Sequence, residues 1–172
     1  MTFQVPRMDE RESAAWLGLV TVTQLLPNAL DSQLQRDAGL THFEFTVLTA
    51  LQLAPGGTLR MTALAEATVS TLPRLSHVCA RLERRGLVER SSCAQDRRAT
   101  NVRLTGDGRR SLVRAIPDHL ATARRVVIDA LRPDQLVALA EITSVIRERL
   151  GGGPQCDRTP AVAAGCDESS PA

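Results

Sequence analysis

Between Thr71 and Leu104 the apolar residues change their spacing, and that change leaves few folds open to the chain. From Thr71 to about Arg85, Leu75, Val78, Cys79 and Leu82 recur at intervals of three and four, the period of a helix with one apolar face. Gly86 ends that pattern. Beyond it, Leu87-Val88-Glu89-Arg90 and Ala99-Thr100-Asn101-Val102-Arg103-Leu104 read as strands, the second with Thr100, Val102 and Leu104 on one face and Asn101 and Arg103 on the other. A polar, charged tip from Ser91 to Arg98 joins them. Upstream, Thr62-Ala63-Leu64-Ala65-Glu66-Ala67 predicts a short helix capped by Thr62, and Thr68-Val69-Ser70 a break. Ser70 or Thr71 then caps the next helix, with Pro73 in its first turn, where a missing amide costs little. Two short helices across a tight break, followed by a basic β-hairpin, describe a winged helix.

The flanks are helical by the same criterion. From about Asp9 to Arg36, Trp16, Leu19, Val20, Thr23, Leu26, Leu30 and Leu34 form one stripe, with a kink expected at Pro27 and an end at Gly39. Thr41-His42-Phe43-Glu44 is a capping box opening a helix over 42–53, with Phe43, Val47, Leu48 and Leu51 inward, which stops at Pro55-Gly56-Gly57. Thr105 caps a long helix with Leu112, Ile116, Leu120, Val127 and Leu131 in its apolar sets and a bend at Pro117. The last helix starts with Pro133, carries Asp134 near its positive end and Arg147 and Arg149 near its negative end, and finishes at Gly151-Gly152-Gly153. The remaining residues are rich in Gly and Pro and predict a disordered tail. The expected architecture is therefore mainly α with a small β-hairpin wing, an α+β winged helix-turn-helix. Its parts are an N-terminal dimerisation helix (1–38), a winged helix-turn-helix DNA-binding lobe (39–110), C-terminal dimerisation helices (111–150) and the tail (151–172). Long apolar helices at both ends of so small a unit are most simply explained by pairing with a second copy.

Charge falls where such a fold would use it. The chain of 172 residues has a net charge of only +2, yet residues 60–114 hold 12 Arg against 5 acids, while 1–59 and 151–172 are both net negative. A contiguous positive block suits a polyanion. No Lys occurs, so every cation is a planar fork able to contact phosphate or guanine at two points. Aromatic residues make up only 2%, which excludes readers that stack bases on rings. Enzyme motifs are missing too: the chain has no Gly-rich phosphate loop, no HExxH, no GxSxG and no His/Cys/Asp cluster at ligand spacing, so neither catalysis, cofactor nor metal is expected. The uncharged run Ser13–Leu30 is broken by Thr21, Thr23, Gln24, Pro27 and Asn28 and follows acids rather than a basic segment, so neither a membrane helix nor a signal peptide is expected. The chain reads as cytoplasmic, with Cys79, Cys93, Cys156 and Cys166 as free thiols.

On the 71–85 helix, Arg74, His77 and Arg81 lie opposite the apolar positions and form a face suited to a major groove. Arg74 is placed to fork onto a guanine, His77 to donate to a base or phosphate, and Arg81 to anchor phosphate. Ser70, Thr71 and their amides offer a positive helix end to a phosphate oxygen. At the hairpin tip, Arg97 and Arg98 suit a narrow minor groove, and Asp96 can hold the Arg98 guanidinium. Cys79 reads as a small core residue, whereas Cys93, beside Arg90 and Arg97, is the candidate oxidisable thiol.

Over about residues 12–150 the chain resembles the MarR family of winged-helix transcriptional regulators. The resemblance is carried by Gly39-Leu40-Thr41 leading to Phe45-x-Val47-Leu48, by Leu64-Ala65, by Arg81-Leu82-Glu83-Arg84-Arg85-Gly86-Leu87-Val88-Glu89-Arg90, and by Asp96-Arg97-Arg98 followed by Val102-x-Leu104-Thr105-x-x-Gly108-Arg109. It implies a homodimer with interlocked terminal helices, reading a pseudo-palindromic double-stranded DNA operator. It also implies repression relieved by a small phenolic or other lipophilic inducer, or by thiol oxidation. The wing's minor-groove role falls on Arg98 and its support on Asp96. The inducer pocket would lie between the dimer helices and the lobe, where Trp16, His42 and His119 are the polar-tipped candidates. The chain departs from the family at Pro73, where Ser or Thr is common, and at His77, where Arg is common, so an operator sequence does not transfer. No Cys stands near the start of the first helix, so the peroxide-sensing mechanism is not implied. The alternatives to a ligand-released repressor are a winged helix used for protein contact or non-specific DNA binding, and a redox-responsive repressor.

Overall fold

Helix ends in this chain are written in side chains. Asp9 accepts from the Glu12 amide while Glu12 accepts from the Asp9 amide, both at 2.9 Å, and this reciprocal cap starts α1 (Glu10–Ala38). The helix closes on Gly39 at φ +62°, where the Leu40 amide reaches back to the Leu34 carbonyl. The computed structural model describes residues 5–92 and 100–151. Within it α1 runs unbroken through Pro27 to Ala38 and ends at Gly39, as the pattern suggested. The Thr41 capping box then opens α2 (His42–Leu53), as expected. Phe45, rather than Phe43, joins Val47, Leu48 and Leu51 in the core, and Phe43 lies half-buried at its edge.

A short strand, β1 (Thr58–Arg60), follows the Pro55–Gly57 turn and was not anticipated. Three residues carry no readable alternation, and its hydrogen-bonding partner lies some forty positions later. Next come α3 (Met61–Ala67), α4 (Leu72–Arg84), β2 (Val88–Ser92) and β3 (Thr100–Leu104). The sheet is antiparallel in the order β1-β3-β2, with Leu59 opposite Val102 and Arg90 also opposite Val102 from the other side. Thr62 does not cap α3, which begins one residue earlier, with Arg60 at the capping position. Thr71 stands at the capping position of α4, but neither its hydroxyl nor that of Ser70 makes the cap bond. Thr105, by contrast, accepts from the Gly108 amide at 3.0 Å and opens α5 (Gly106–Ala123) while donating to the Gly86 carbonyl. A π-helical turn, Arg124–Ile128, leads to α6 (Pro133–Arg149).

The chain is thus mainly helical with a three-stranded wing sheet, the expected fold class. Its core is aliphatic: Leu34, Leu40, Leu48, Leu51, Leu64, Leu75, Leu82 and Leu112 are fully enclosed. They seal α2, α3, α4 and the sheet against the C-terminal end of α1 and the N-terminal half of α5. Outside that zone the helices leave many large apolar side chains exposed. Of the α1 stripe only Leu30 and Leu34 are buried, and α6 buries no residue at all. No described helix is long and apolar enough to cross a membrane.

Candidate nucleic-acid interface

The α3-turn-α4 unit puts α4 on the protein surface with Leu75, Cys79 and Leu82 against the core. At 100° per residue the opposite side of the helix is Pro73, His77, Ala80 and Arg84. His77 therefore points straight outward, and Arg74 and Arg81 lie on the flank that faces α2. Two observations agree with that geometry. The Arg74 guanidinium sits 4.3 Å above the Phe43 ring, and the Arg81 Nε donates to Glu44 Oε1 at 2.8 Å. Glu44 is 1% exposed; the same oxygen also takes Arg85 at 3.4 Å, and its Oε2 accepts the Thr41 amide at 2.7 Å. A buried carboxylate with these partners is what fixes α4 on α2, because leaving it unpaired would be strongly destabilising.

Arg84 was missed by the sequence reading, although the helical period alone assigns it to the outward face. Its guanidinium has no ion pair among the described residues; its Nε donates weakly to the Ala80 carbonyl within its own helix. Its neighbour Glu83 turns the other way. Both Glu83 oxygens bind Arg90, one through the backbone amide at 3.1 Å and the other through Nε at 2.8 Å, so α4 is tied to β2. That bond holds the Glu83 carboxyl below its ordinary value.

At the N-terminus of α4, no side chain caps the first amides. Ser70 and the exposed Thr71 lie beside them, next to Val69, which is 91% exposed at φ +47°. Cys79 is enclosed in the core, and burial pushes its thiol up to about 11, which suits the packing role read from sequence. Asp96, Arg97, Arg98 and Cys93 fall outside the described residues, as do Cys156 and Cys166.

The three inducer-pocket candidates separate into a pair and a singleton. His42 and His119 bring α2 and α5 together with ring centroids 5.8 Å apart, and Phe45 lies 4.4 Å from the His119 ring. The His42 amide donates to Asp31 of α1 at 2.8 Å. Burial pushes both imidazoles below their ordinary value; Asp31 partly opposes this for His42, and His42 reinforces it for His119. The His119 Nδ1 is buried without a hydrogen-bond partner. Trp16 stands about 22 Å further along α1 than Asp31 and is 48% exposed. A separate open groove of about 840 Å³ runs between α6 and the helix-turn-helix, lined by Leu19, Ala65, Val69, Leu72, Ile146 and Arg147 among others. No described cluster of three or more His, Cys, Asp or Glu side chains is arranged to hold a metal ion.

Solved structures share this arrangement over most of the chain. Sco3205 of Streptomyces coelicolor, a MarR family transcriptional regulator solved in complex with DNA, is 38% identical and superposes with a TM-score of 0.80 over 86% of this chain and 92% of its own. The chain belongs to the MarR family. AbsC, another MarR family regulator from Streptomyces coelicolor, is 35% identical, with a TM-score of 0.79 over 87% of this chain and all of its own. The MarR family model matches residues 38–99, the part that carries the helix-turn-helix. Among curated proteins, the transcriptional regulator HosA of Escherichia coli O127:H6 is 42% identical over 78 residues, 45% of this chain. That match spans 56% of HosA, little more than half of its length.

Proposed function

We propose that this chain is a homodimeric, sequence-specific regulator of transcription that binds double-stranded DNA as a repressor and lets go when a small lipophilic molecule binds. The observation that carries the reading is α4 itself: a surface helix whose outward side is His77 and Arg84, flanked by Arg74 and Arg81, in the middle of the chain's one strongly positive segment. A convex cationic helix with an uncapped N-terminus is shaped for a major groove and its phosphates. Ser70, Thr71, Arg74, His77, Arg81 and Arg84 are assigned to this surface, and Asp96, Arg97 and Arg98, which stand between β2 and β3 in the sequence, to a minor-groove contact. The related Sco3205, solved with DNA, supports the same use.

Dimerisation is supported by what the protomer leaves uncovered. Trp16, Val22 and Leu25 on α1, Val113 and Leu120 on α5, and Val137, Ile142 and Val145 on α6 are all exposed, far more apolar helix surface than a monomer tolerates. Two copies joined there would present two α4 helices to successive major grooves. For release, the groove between α6 and the helix-turn-helix is suitably apolar and touches both the pairing helix and the start of α4.

The test is fluorescence-anisotropy binding to the DNA flanking the protein's own gene, titrated with salt and with excess random DNA. The expected result is binding at two protomers per site that survives the competitor, with Arg84→Ala lowering the slope of log affinity against log salt by about 0.9, one phosphate contact. Binding that collapses with competitor would leave a non-specific binder or a protein-contact module in its place.

A further inference from the structure

Arg74 has one described partner, and it is a ring. Its guanidinium carbon lies 4.3 Å from the centroid of Phe43, a residue of the first turn of α2, and no described hydrogen bond or ion pair occupies its donors. Arg74 itself is exposed, whereas Phe43 is half-buried and packed on the core, so the ring is the fixed member of the pair. A guanidinium held over an aromatic face by cation–π attraction is restrained without spending its N–H groups on a hydrogen-bond acceptor, and they stay available to a fork-shaped one. Without that backstop, Arg74 would be a long side chain on the flank of α4, free to sample many rotamers. One residue further along, Glu44 holds Arg81 and Arg85 from the same turn of α2. The first turn of α2 thus grips the recognition helix by charge through Glu44 and orients its first arginine through Phe43.

We propose that Phe43 is a positioning residue for base recognition: it pre-orients the Arg74 guanidinium for a bidentate contact to a guanine edge, and so sets sequence preference without touching DNA. The proposal rests on the reading of Arg74 as a base-contacting residue. Its effect is confined to discrimination. Phosphate contacts, and with them the salt dependence, come from other side chains.

The experiment is selection from a random DNA pool by the full chain and four variants, Arg74→Ala, Phe43→Ala, Phe43→Leu and Phe43→Tyr, with salt-titrated affinities for the selected site and for random DNA. Phe43→Leu keeps apolar volume at the edge of the core and guards against a trivial loss of folding. The expected result is that Arg74→Ala erases the preference at one base pair of each half-site, and that Phe43→Ala and Phe43→Leu weaken preference at that same base pair. Affinity for the selected site should fall about two- to fivefold, the scale of an exposed cation–π contact, with non-specific binding and salt slope unchanged. Phe43→Tyr, which retains the ring, restores the preference. Full preference in a folded Phe43→Leu would overturn the proposal while leaving Arg74 as a reader. Full preference in Arg74→Ala would remove the base-reading role of Arg74 itself, and the proposal with it.

Discussion

Val69 holds a backbone conformation that its own side chain opposes. At φ +47° a β-branched residue crowds its carbonyl, and with 91% of its surface exposed Val69 recovers little by packing. The turn between α3 and α4 requires the left-handed shape, and the hydrogen bond from the Ser70 amide to the Ala65 carbonyl holds it there. Val69→Gly is therefore expected to stabilise the protein by about 1 kcal/mol, read as a rise in thermal midpoint of about 2–4 °C. Gly108 is the reverse case. A Cβ there would stand 2.0 Å from the Leu87 carbonyl oxygen and 2.8 Å from a Leu104 methyl, so Gly108→Ala is expected to cost about 3 kcal/mol or more in urea unfolding. Gly108 was one of the residues carrying the family resemblance, and the structure supplies its reason: α5 starts in contact with the segment that enters β2. At the same scale the outward period of α4 was available in the sequence, yet Arg84 was passed over. The contacts that turn Arg74 and Arg81 toward α2 were not available, since they join residues about 31 and 37 positions apart.

Between elements, the decisive junction is where α1, α2 and α5 meet. Asp31 bonds the His42 amide, His42 stacks against His119, and Phe45 closes the other side. Both imidazoles are held below the ordinary value of 6.5, so the folded protein keeps them neutral where the unfolded chain would begin to take up protons. Their contribution is complete above about pH 6.5 and is lost as pH falls through the lowered folded values. Thermal midpoints are expected to drop between pH 7.5 and 5.5, and to drop less in His119→Phe, which keeps the ring packing without the proton. Equal slopes in the two proteins would assign the acid sensitivity elsewhere. Caps and breaks made most elements legible: Asp9, Thr41, Thr105 and Pro133 each start a helix where local chemistry asks for one. Thr62 and β1 were misread for opposite reasons. A good capping residue lost to a start one residue earlier, and a strand of three residues exists because β3 offers it an edge.

The whole molecule is divided between a sealed lobe and bare helices. Leu25 of α1 and Val145 of α6 are each more than 60% exposed, so neither supports the fold of a single protomer. Leu25→Asp and Val145→Asp are expected to keep their helical circular dichroism while sedimenting as monomers, and to bind operator DNA at least about tenfold more weakly, as two half-sites can no longer be engaged together. A dimer in both variants would move the pairing surface to another face.

What the sequence determined by itself is local: the helical and strand periods, the caps, the glycine stops, and the concentration of arginine between residues 60 and 114. These follow from interactions within a turn or two of chain, which any reader of the sequence can trace. The tertiary structure alone decided which side of each element faces what. It buried Glu44 beneath Arg81 and Arg85, laid Arg74 on Phe43, brought His42 to His119 and left α6 uncovered, because each depends on groups that meet only once the chain has folded.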